Sequence, residues 1–305
     1  MTVVALFRYP VKSMLGESIP RATITERGLL GDRAYAILDT ETGIIASAKV
    51  PKRWKDLLSF SARFVAEPVV GDAAPPVEIT FPDGSTLRSD DEGIDKALST
   101  ALGRDVTLIS VPPEGSYFEE LWPDIEGLTP QQLAPRQLIE DTTIRHEDSG
   151  EVISKFDISA FGAPGTFFDL SSLHVLTEST LDRLQELSPD ATYDARRYRP
   201  NIVLRGDDAG FVENDWPGSS STIGDTARIA FSFATMRCVM TTLGQGDLSD
   251  DPDTLRGIAK NNRIEIPQIG GTWACAGVYA EIAEPGDIAV GDPHTTPVPD
   301  PVPAG

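Results

Sequence analysis

The sequence predicts an α+β, strand-rich protein: an N-terminal domain of closely spaced strands, barrel or sandwich, then a second strand-built domain with peripheral helices. Three observations predict it. Short segments of alternating apolar and polar residues, rich in β-branched side chains, recur in both halves and are bounded by Gly, Pro or Asp turns. Helical spacing is confined to a few short stretches, each with a recognisable start or stop signal. Between the halves, residues 111–166 carry Pro112, Pro113, Pro123, Pro130 and Pro135 with many acids and weak periodicity. The expected division is an N-terminal strand-rich domain over 1–110, a linker or insert over 111–166, a second domain over 167–291 and a disordered proline-rich tail over 292–305.

Residues 3–9 read as a strand stopped by Pro10, whose missing N–H ends ladder pairing. Segments 21–25 and 34–38 continue the alternation, Asp39 to Gly43 turns the chain, and 44–48 returns as the second arm of a hairpin. Segments 57–64 and 77–81 alternate in the same way, the latter followed by the turn Pro82-Asp-Gly-Ser85. Asp91 stands as the N-cap of a helix with Ile94, Leu98 and Leu102 on one face and Gly103 at its end. Residues 106–110 close this first unit, and strands so closely spaced predict a barrel or sandwich. The insert holds one short helix from Pro130, capped by Thr129.

The second unit begins near Phe167 with a strand over 173–176. Thr177 then caps a helix whose Leu181, Leu184 and Leu187 share a face before Ser188-Pro189 stops it. A basic run, Ala195-Arg-Arg-Tyr-Arg-Pro-Asn201, feeds a strand that ends at Leu204. Residues 227–233 read as a strand leading into the stretch 231–246, Asp251-Pro252 starts a helix ending near Asn262, and 277–282 and 288–292 are late strands.

A net charge of −21, from Asp+Glu 47 against Lys+Arg 26, argues against nucleic acid or an anionic membrane as partner. No apolar run is long enough to span a bilayer and the N-terminus lacks secretory form, so the cytoplasm is the expected location. Cys238 and Cys275 are too few for a disulfide scaffold, and their spacing matches no short zinc pattern. His146, His174 and His294 are scattered, which argues against an all-histidine metal site. In so acidic a chain an anionic ligand needs a local positive pocket, so clustered basic residues are informative.

Residues 231–246 run as a strand into a Thr/Gly loop, with Cys238 at the junction beside Arg237 and ahead of Thr241 and Thr242. A thiol placed there suits a nucleophile or a soft-metal ligand, and a neighbouring guanidinium favours the thiolate. The alternative is a small buried hydrophobe. Arg196, Arg197, Arg199 and Arg237 lie near strand starts of the second half, and Lys12 and Arg33 in the first. If the units meet face to face, these converge on one anionic ligand, with Thr177 and Ser179 adding hydroxyls at a helix N-terminus. Ordinary surface ion pairs are the competing account. The chain has no GxSxG, HExxH, P-loop or dinucleotide glycine pattern, and no spacing supports a Cys238/His174 dyad.

Tyr9-Pro-Val-Lys-Ser13, Gly28 with Gly31-Asp-Arg33, Arg199-Pro-Asn-Ile202, Arg237-Cys-Val-Met-Thr-Thr242 and Pro285-Gly-Asp-Ile-Ala-Val-Gly-Asp292 stand in order along the chain. Together they resemble the MOSC domain proteins with an N-terminal MOSC β-barrel domain, the family that includes amidoxime-reducing components. The resemblance implies a MOSC-type β-barrel as the second domain. It also implies a pterin-based molybdenum cofactor (molybdopterin) between the domains, with Cys238 as thiolate ligand to the metal. By position, Lys12, Ser13 and Arg33 would hold the cofactor from the N-terminal side. Arg199, Asn201 and Arg237 would hold it from the other, with Thr177 and Ser179 in a hydroxyl-bearing segment. The implied activity is reduction of small N-hydroxylated substrates, with electrons from a separate donor protein, since the sequence contains no ferredoxin-like cysteine cluster or flavin domain. Two departures stand out: Met14 replaces a cysteine found in many members, and the segment after Thr242 is longer than the family leads one to expect. The alternative is a cofactor carrier or persulfide sulfur-transfer module. Sulfurases bearing this domain also contain a pyridoxal-phosphate desulfurase domain; no region here is large enough for one, so pyridoxal phosphate is not expected. A third reading keeps the fold, without metal, and leaves Cys238 in the core.

Overall fold

Alternating segments become strands when one face of each finds a core, and one of the two main cores here is built by residues from both ends of the chain. A computed structural model describes residues 1–122, 144–145, 152–158, 165–267 and 270–300. The main sheet runs in the order Glu17–Ile19, Thr2–Arg8, Ile202–Arg205, Leu173–Thr177, Thr272–Glu284, Ala227–Met236, Ser219–Ile223, Val298–Pro299, with Arg263–Glu265 paired beside Thr272–Glu284. Its neighbours are antiparallel except Leu173–Thr177 and Ile202–Arg205, which run parallel and are joined through the helix Glu178–Leu187. Val3 and Leu6 are fully buried against Val175, Ile202, Leu204 and Val278. The first strand therefore completes the core of the C-terminal half, in register Leu6↔Ile202. The first strand of the expected 1–110 unit thus lies in the sheet of the C-terminal half.

A second sheet, in the order Val106–Ile109, Ala36–Asp39, Ile44–Ile45, Tyr117–Trp122, Val152–Asp157, Ile144–Arg145, packs over its own core of Val11, Ile37, Trp54, Phe60, Ile79 and Leu98. The expected hairpin is present, with Leu38 opposite Ile45 and Gly43 in the left-handed region at φ 72. Residues 111–166 are not merely a linker, because Tyr117–Trp122 and Val152–Asp157 form an antiparallel pair inside this sheet. Adjacent acids hid that strand: Glu119 pairs with Arg53 and Glu120 with Lys49, so charges occupy positions where alternation predicts apolar residues. The helix expected from Pro130 with Thr129 as its cap lies outside the described residues.

Smaller differences have local causes. The helix Ile94–Leu102 starts from left-handed Gly93, because Asp91 accepts from the Arg88 N–H instead of capping. Residues 55–59 coil as a 3-10 turn that buries Leu57 and Leu58, leaving only Ser61–Phe64 as strand. The strand expected over 277–282 extends across Thr272–Glu284. By contrast, Thr177 accepts from the Thr180 N–H and Asp251 from the Asp253 N–H, as their positions predict. No helix of the described residues is long and apolar enough to cross a membrane.

Disorder was expected over 292–305, yet 292–300 lie against the main sheet, with Val298–Pro299 paired to Ser219 and Ser220; residues 301–305 fall outside the described set. The anchor is His294, 3 % exposed, whose Nε2 lies 2.8 Å from Ser221 Oγ and whose ring packs on Trp216 and Phe231. Burial and the nearby N-terminal ammonium push its pKa down to about 4. In the unfolded chain the ring titrates near 6.5, so the unfolded state takes up a proton first as pH falls. This term is absent at neutral pH, destabilises increasingly from about pH 6.5 down to about 4, and amounts to roughly 3 kcal/mol at its full extent. Urea midpoints at pH 7 and pH 4.5 should therefore differ less in His294→Gln than in the parent chain; an equal difference would remove His294 as the cause.

Candidate functional site

The two sheets meet along a cavity whose walls come from both halves of the chain. On the N-terminal side, the turn after Pro10 carries Lys12 and left-handed Ser13 (φ 64), pinned by Lys12 N–H to Tyr35 O at 2.8 Å and by Ala48 N–H to Ser13 Oγ at 3.1 Å. Lys12 Nζ donates to Phe167 O at 3.1 Å, pairs with Asp169 and sits 4.6 Å over the Phe118 ring. Arg33, also left-handed at φ 48, pairs with Asp32 and lies 4.4 Å over Tyr9.

From the other side, the 3-10 turn Ala195–Tyr198 ends on left-handed Arg199 (φ 54), whose guanidinium donates to Met14 O at 2.7 Å and lies 4.2 Å over the same Tyr9 ring. Asn201 accepts from the His174 N–H at 3.1 Å and donates to Asp32 at 2.9 Å. Arg237 donates to Tyr198 O at 2.8 Å, while its buried Nε has no hydrogen-bond partner. Cys238 opens the turn Val239–Thr242 and presents its partly exposed side chain to the cavity, whereas Cys275 is buried.

Lys12, Ser13, Arg33, Arg199, Asn201, Arg237 and Cys238, expected from sequence to act together, thus line one cavity. Thr177 and Ser179 do not. Thr177 donates to Glu213 at 2.7 Å and caps its helix, and Ser179 donates to Gly210 O at 2.6 Å, so their cofactor-binding assignment is corrected to a structural one. Arg196 is on the surface with Asp194 and Asp247. Arg197 reaches the cavity wall but gives its guanidinium to Leu243 O and Ser249 O, which fixes the loop after Cys238.

Sequence reasoning missed Lys49, Glu120 and Asp169, which also line the cavity. Lys49 Nζ lies 2.9 Å from Glu120 and 3.5 Å from Asp169. The only sequence signal for Lys49 was its place at the end of a predicted hairpin strand, and Glu120 sat inside the presumed linker. His174, considered only for a thiol dyad, packs on Tyr279 with its Nε2 3.5 Å from Arg237 Nη1.

Electrostatically the cavity is strained. Burial, then the charges of Lys49, Arg33 and Arg199, drive the Lys12 pKa well below its usual value. Burial and Arg33 likewise pull Arg199 down to about 10. Burial works against the Lys49 ammonium too, but Glu120 and Cys238 outweigh it and hold that pKa above the ordinary value. His174 is held well below the usual range by burial and then Arg237, so the ring is neutral. For Cys238, burial pushes the thiol up and Lys49 pulls it back more than Arg237 does. The sequence pointed to Arg237 as the stabilising cation; the fold turns that guanidinium toward Tyr198 and supplies Lys49 instead. Crowded buried cations favour an anionic occupant, and a lone thiol suits a soft metal whose other ligands arrive with that occupant. Among the described residues, no cluster of His, Cys, Asp and Glu could hold a bare metal ion.

The floor under His174 depends on Gly277, which has φ 89 and would place a Cβ 2.3 Å from His174 Nε2 and 2.8 Å from Val175 O. Gly277→Ala is expected to lower stability by roughly 2 kcal/mol or more through the left-handed backbone and the contact with a strand carbonyl. Denaturant melts check it, and a loss under 0.5 kcal/mol or so would show that the strand yields easily.

Fold and site together define a class: a strand-rich protein in which a thiol and a set of buried cations face one cavity between an N-terminal segment and a C-terminal sheet. The MOSC domain matches residues 160–295, and the MOSC N-terminal beta barrel domain matches 1–55. The chain belongs to the MOSC domain proteins that carry this N-terminal barrel. It is similar to mitochondrial amidoxime-reducing component 1 of Homo sapiens, at 26% identity over 310 residues, covering 96% of this chain and 82% of that protein. The Mus musculus protein of the same name is 25% identical over 312 residues, covering 96% and 81%. Among solved structures, the YUAD protein from Bacillus subtilis aligns with a TM-score of 0.41 and 8% sequence identity, covering 96% of this chain and 92% of that one. The MOSC domain family is associated with molybdenum cofactor binding.

Proposed function

We propose that this chain binds the molybdenum cofactor in the cavity, with Cys238 Sγ as the protein ligand to the metal, and reduces N-hydroxylated compounds with electrons from a separate donor protein. The observation that carries the reading is the pairing of one cavity-facing thiol with buried, mutually repelling cations in a chain of net charge −21. Such a set is costly without an anion and stabilising with one. The residues fit the group: thiolate sulfur is a suitable ligand for a soft, sulfur-rich metal centre, and Lys12, Arg33 and Arg199 supply donors for an anionic cofactor, with Asn201 in the wall beside them.

When bound, the cofactor supplies two-electron removal of oxygen from the N–O group. The protein binds and orients it, while the aromatic walls from Phe118, Phe167, Tyr198 and Tyr279 limit water. Net reduction of R–NHOH to R–NH2 and water consumes two electrons and two protons by the atom balance of N–O cleavage. Lys49 Nζ, held by Glu120, keeps a proton at the cavity wall.

The test is elemental analysis of protein purified from a host that makes the cofactor, followed by reduction of a hydroxylamine with an artificial electron donor. Stoichiometric molybdenum and turnover support the reading. Metal-free protein from a competent host defeats it, and metal without turnover favours the carrier alternative.

A further inference from the structure

Beneath the cavity lies a carboxylate that does not line it. Asp32 has a side chain with no exposed surface and receives three donors: the Tyr9 N–H at 2.7 Å, the Asn201 amide at 2.9 Å and the Arg33 guanidinium. Asn201 comes from the C-terminal half, Tyr9 and Arg33 from the N-terminal segment, and both Arg33 and Asn201 face the cavity. Arg33 is further held through its backbone, with its N–H on Tyr9 O at 2.8 Å and its carbonyl accepting from Phe167 N–H at 3.1 Å. Arg33 and Arg199, both at positive φ, lie over the one Tyr9 ring, whose backbone Asp32 anchors. Two like-charged guanidiniums do not stay together unaided, and left-handed non-glycine backbone persists only where its surroundings impose it.

We infer that Asp32 is a positioning residue: it aims Arg33 into the cavity, ties it to the wall formed by Asn201, and sets the anion-binding face before any ligand arrives. The inference rests on the reading that the cavity takes an anionic ligand, and it needs no molybdenum. It has a signature opposite in sign to simple charge effects. Asp32→Asn removes a negative charge close to the anion site, so by Coulomb attraction alone anions would bind tighter. A positioning role predicts the reverse, because the asparagine NH2 points a donor at donors and releases Arg33 and Asn201. Asp32→Glu keeps the charge but displaces the carboxylate by one methylene.

The experiment titrates inorganic pyrophosphate into the full-length chain produced without cofactor, by calorimetry, for the parent, Asp32→Asn and Asp32→Glu, with melting temperatures measured alongside. The expected result is pyrophosphate affinity lowered roughly tenfold or more in both variants, the scale of one lost charge-assisted hydrogen bond. Unchanged or tighter binding by the folded variants overturns the inference, even where their melting temperatures drop, because a merely structural carboxylate lowers stability and leaves the affinity of folded protein alone. If Asp32→Asn does not fold, Asp32→Glu decides alone, since a purely electrostatic role leaves it unchanged. A parent chain that ignores pyrophosphate overturns the inference together with the anionic-ligand reading. A parent chain that binds pyrophosphate but never acquires molybdenum removes only the cofactor assignment.

Discussion

In the Cys238→Ser variant, the proposed molybdenum site predicts that metal content will fall to background and hydroxylamine reduction will stop with it, while the fold survives. A serine hydroxyl is a hard, weakly acidic ligand that cannot replace a thiolate on a soft metal centre. The side chain is only partly buried, touching the small cluster of Ala48, Leu58 and Met240, so the swap is expected to lower stability by about 1 kcal/mol. Metal analysis with a parallel urea melt checks both halves. Equal molybdenum in variant and parent would return Cys238 to the role of a small core residue. The carrier alternative shares the loss of metal in the variant and differs in the parent, which would then load metal without turning over.

The second large effect is expected at Lys12. Replacing it with methionine should stabilise the cofactor-free protein, by about 1 kcal/mol or more, while abolishing its capacity to retain cofactor. Burial and neighbouring cations depress the folded-state pKa of this ammonium, whereas in the unfolded chain it titrates near 10.4. Between those values the unfolded chain holds the extra proton, so stability of the cofactor-free parent rises with pH through that window, and the Lys12→Met protein lacks this contribution. Thermal melts from pH 6 to 9 or so, on protein made without cofactor, measure the difference in slope. A variant less stable than its parent at every pH would show that the Phe167 and Asp169 contacts outweigh the burial of charge.

How much of this was written in the sequence follows from the range of each interaction. Cys238 stood out because a strand, an arginine and a Thr/Gly loop converge within a few residues, but that pattern alone fits a small buried hydrophobe equally, and only the resemblance to MOSC domain proteins pointed it at a metal. Lys12, Ser13, Arg199 and Asn201 were brought together through the short motifs that resemble the family, and the fold places them on one cavity wall, with Ser13 and Arg199 in left-handed turns. Lys49 was not legible, because its meaning comes from Glu120, far along the chain on a strand disguised by consecutive acids. Thr177 was read correctly as a cap and wrongly as a cofactor ligand; nothing local announces that Glu213 claims its hydroxyl. Proline content foretold disorder at 292–300, but His294 and a short strand pairing hold that segment down.

The pairing of Thr2–Arg8 with Ile202–Arg205 has a temporal side. A ribosome makes the first strand roughly 200 residues before its partner, which at 5–20 residues per second is about 10–40 s. During that interval Val3 and Leu6 lack the core they enter, and although Glu17–Ile19 can pair one edge of the strand, the edge that Ile202–Arg205 covers stays open to other chains. The cavity, too, exists only after Cys238 and Tyr279 have emerged to face Lys12 and Arg33. Any anionic group it holds must therefore be loaded after Tyr279 has emerged, and yield of folded protein should depend on what shields the early strand while it waits.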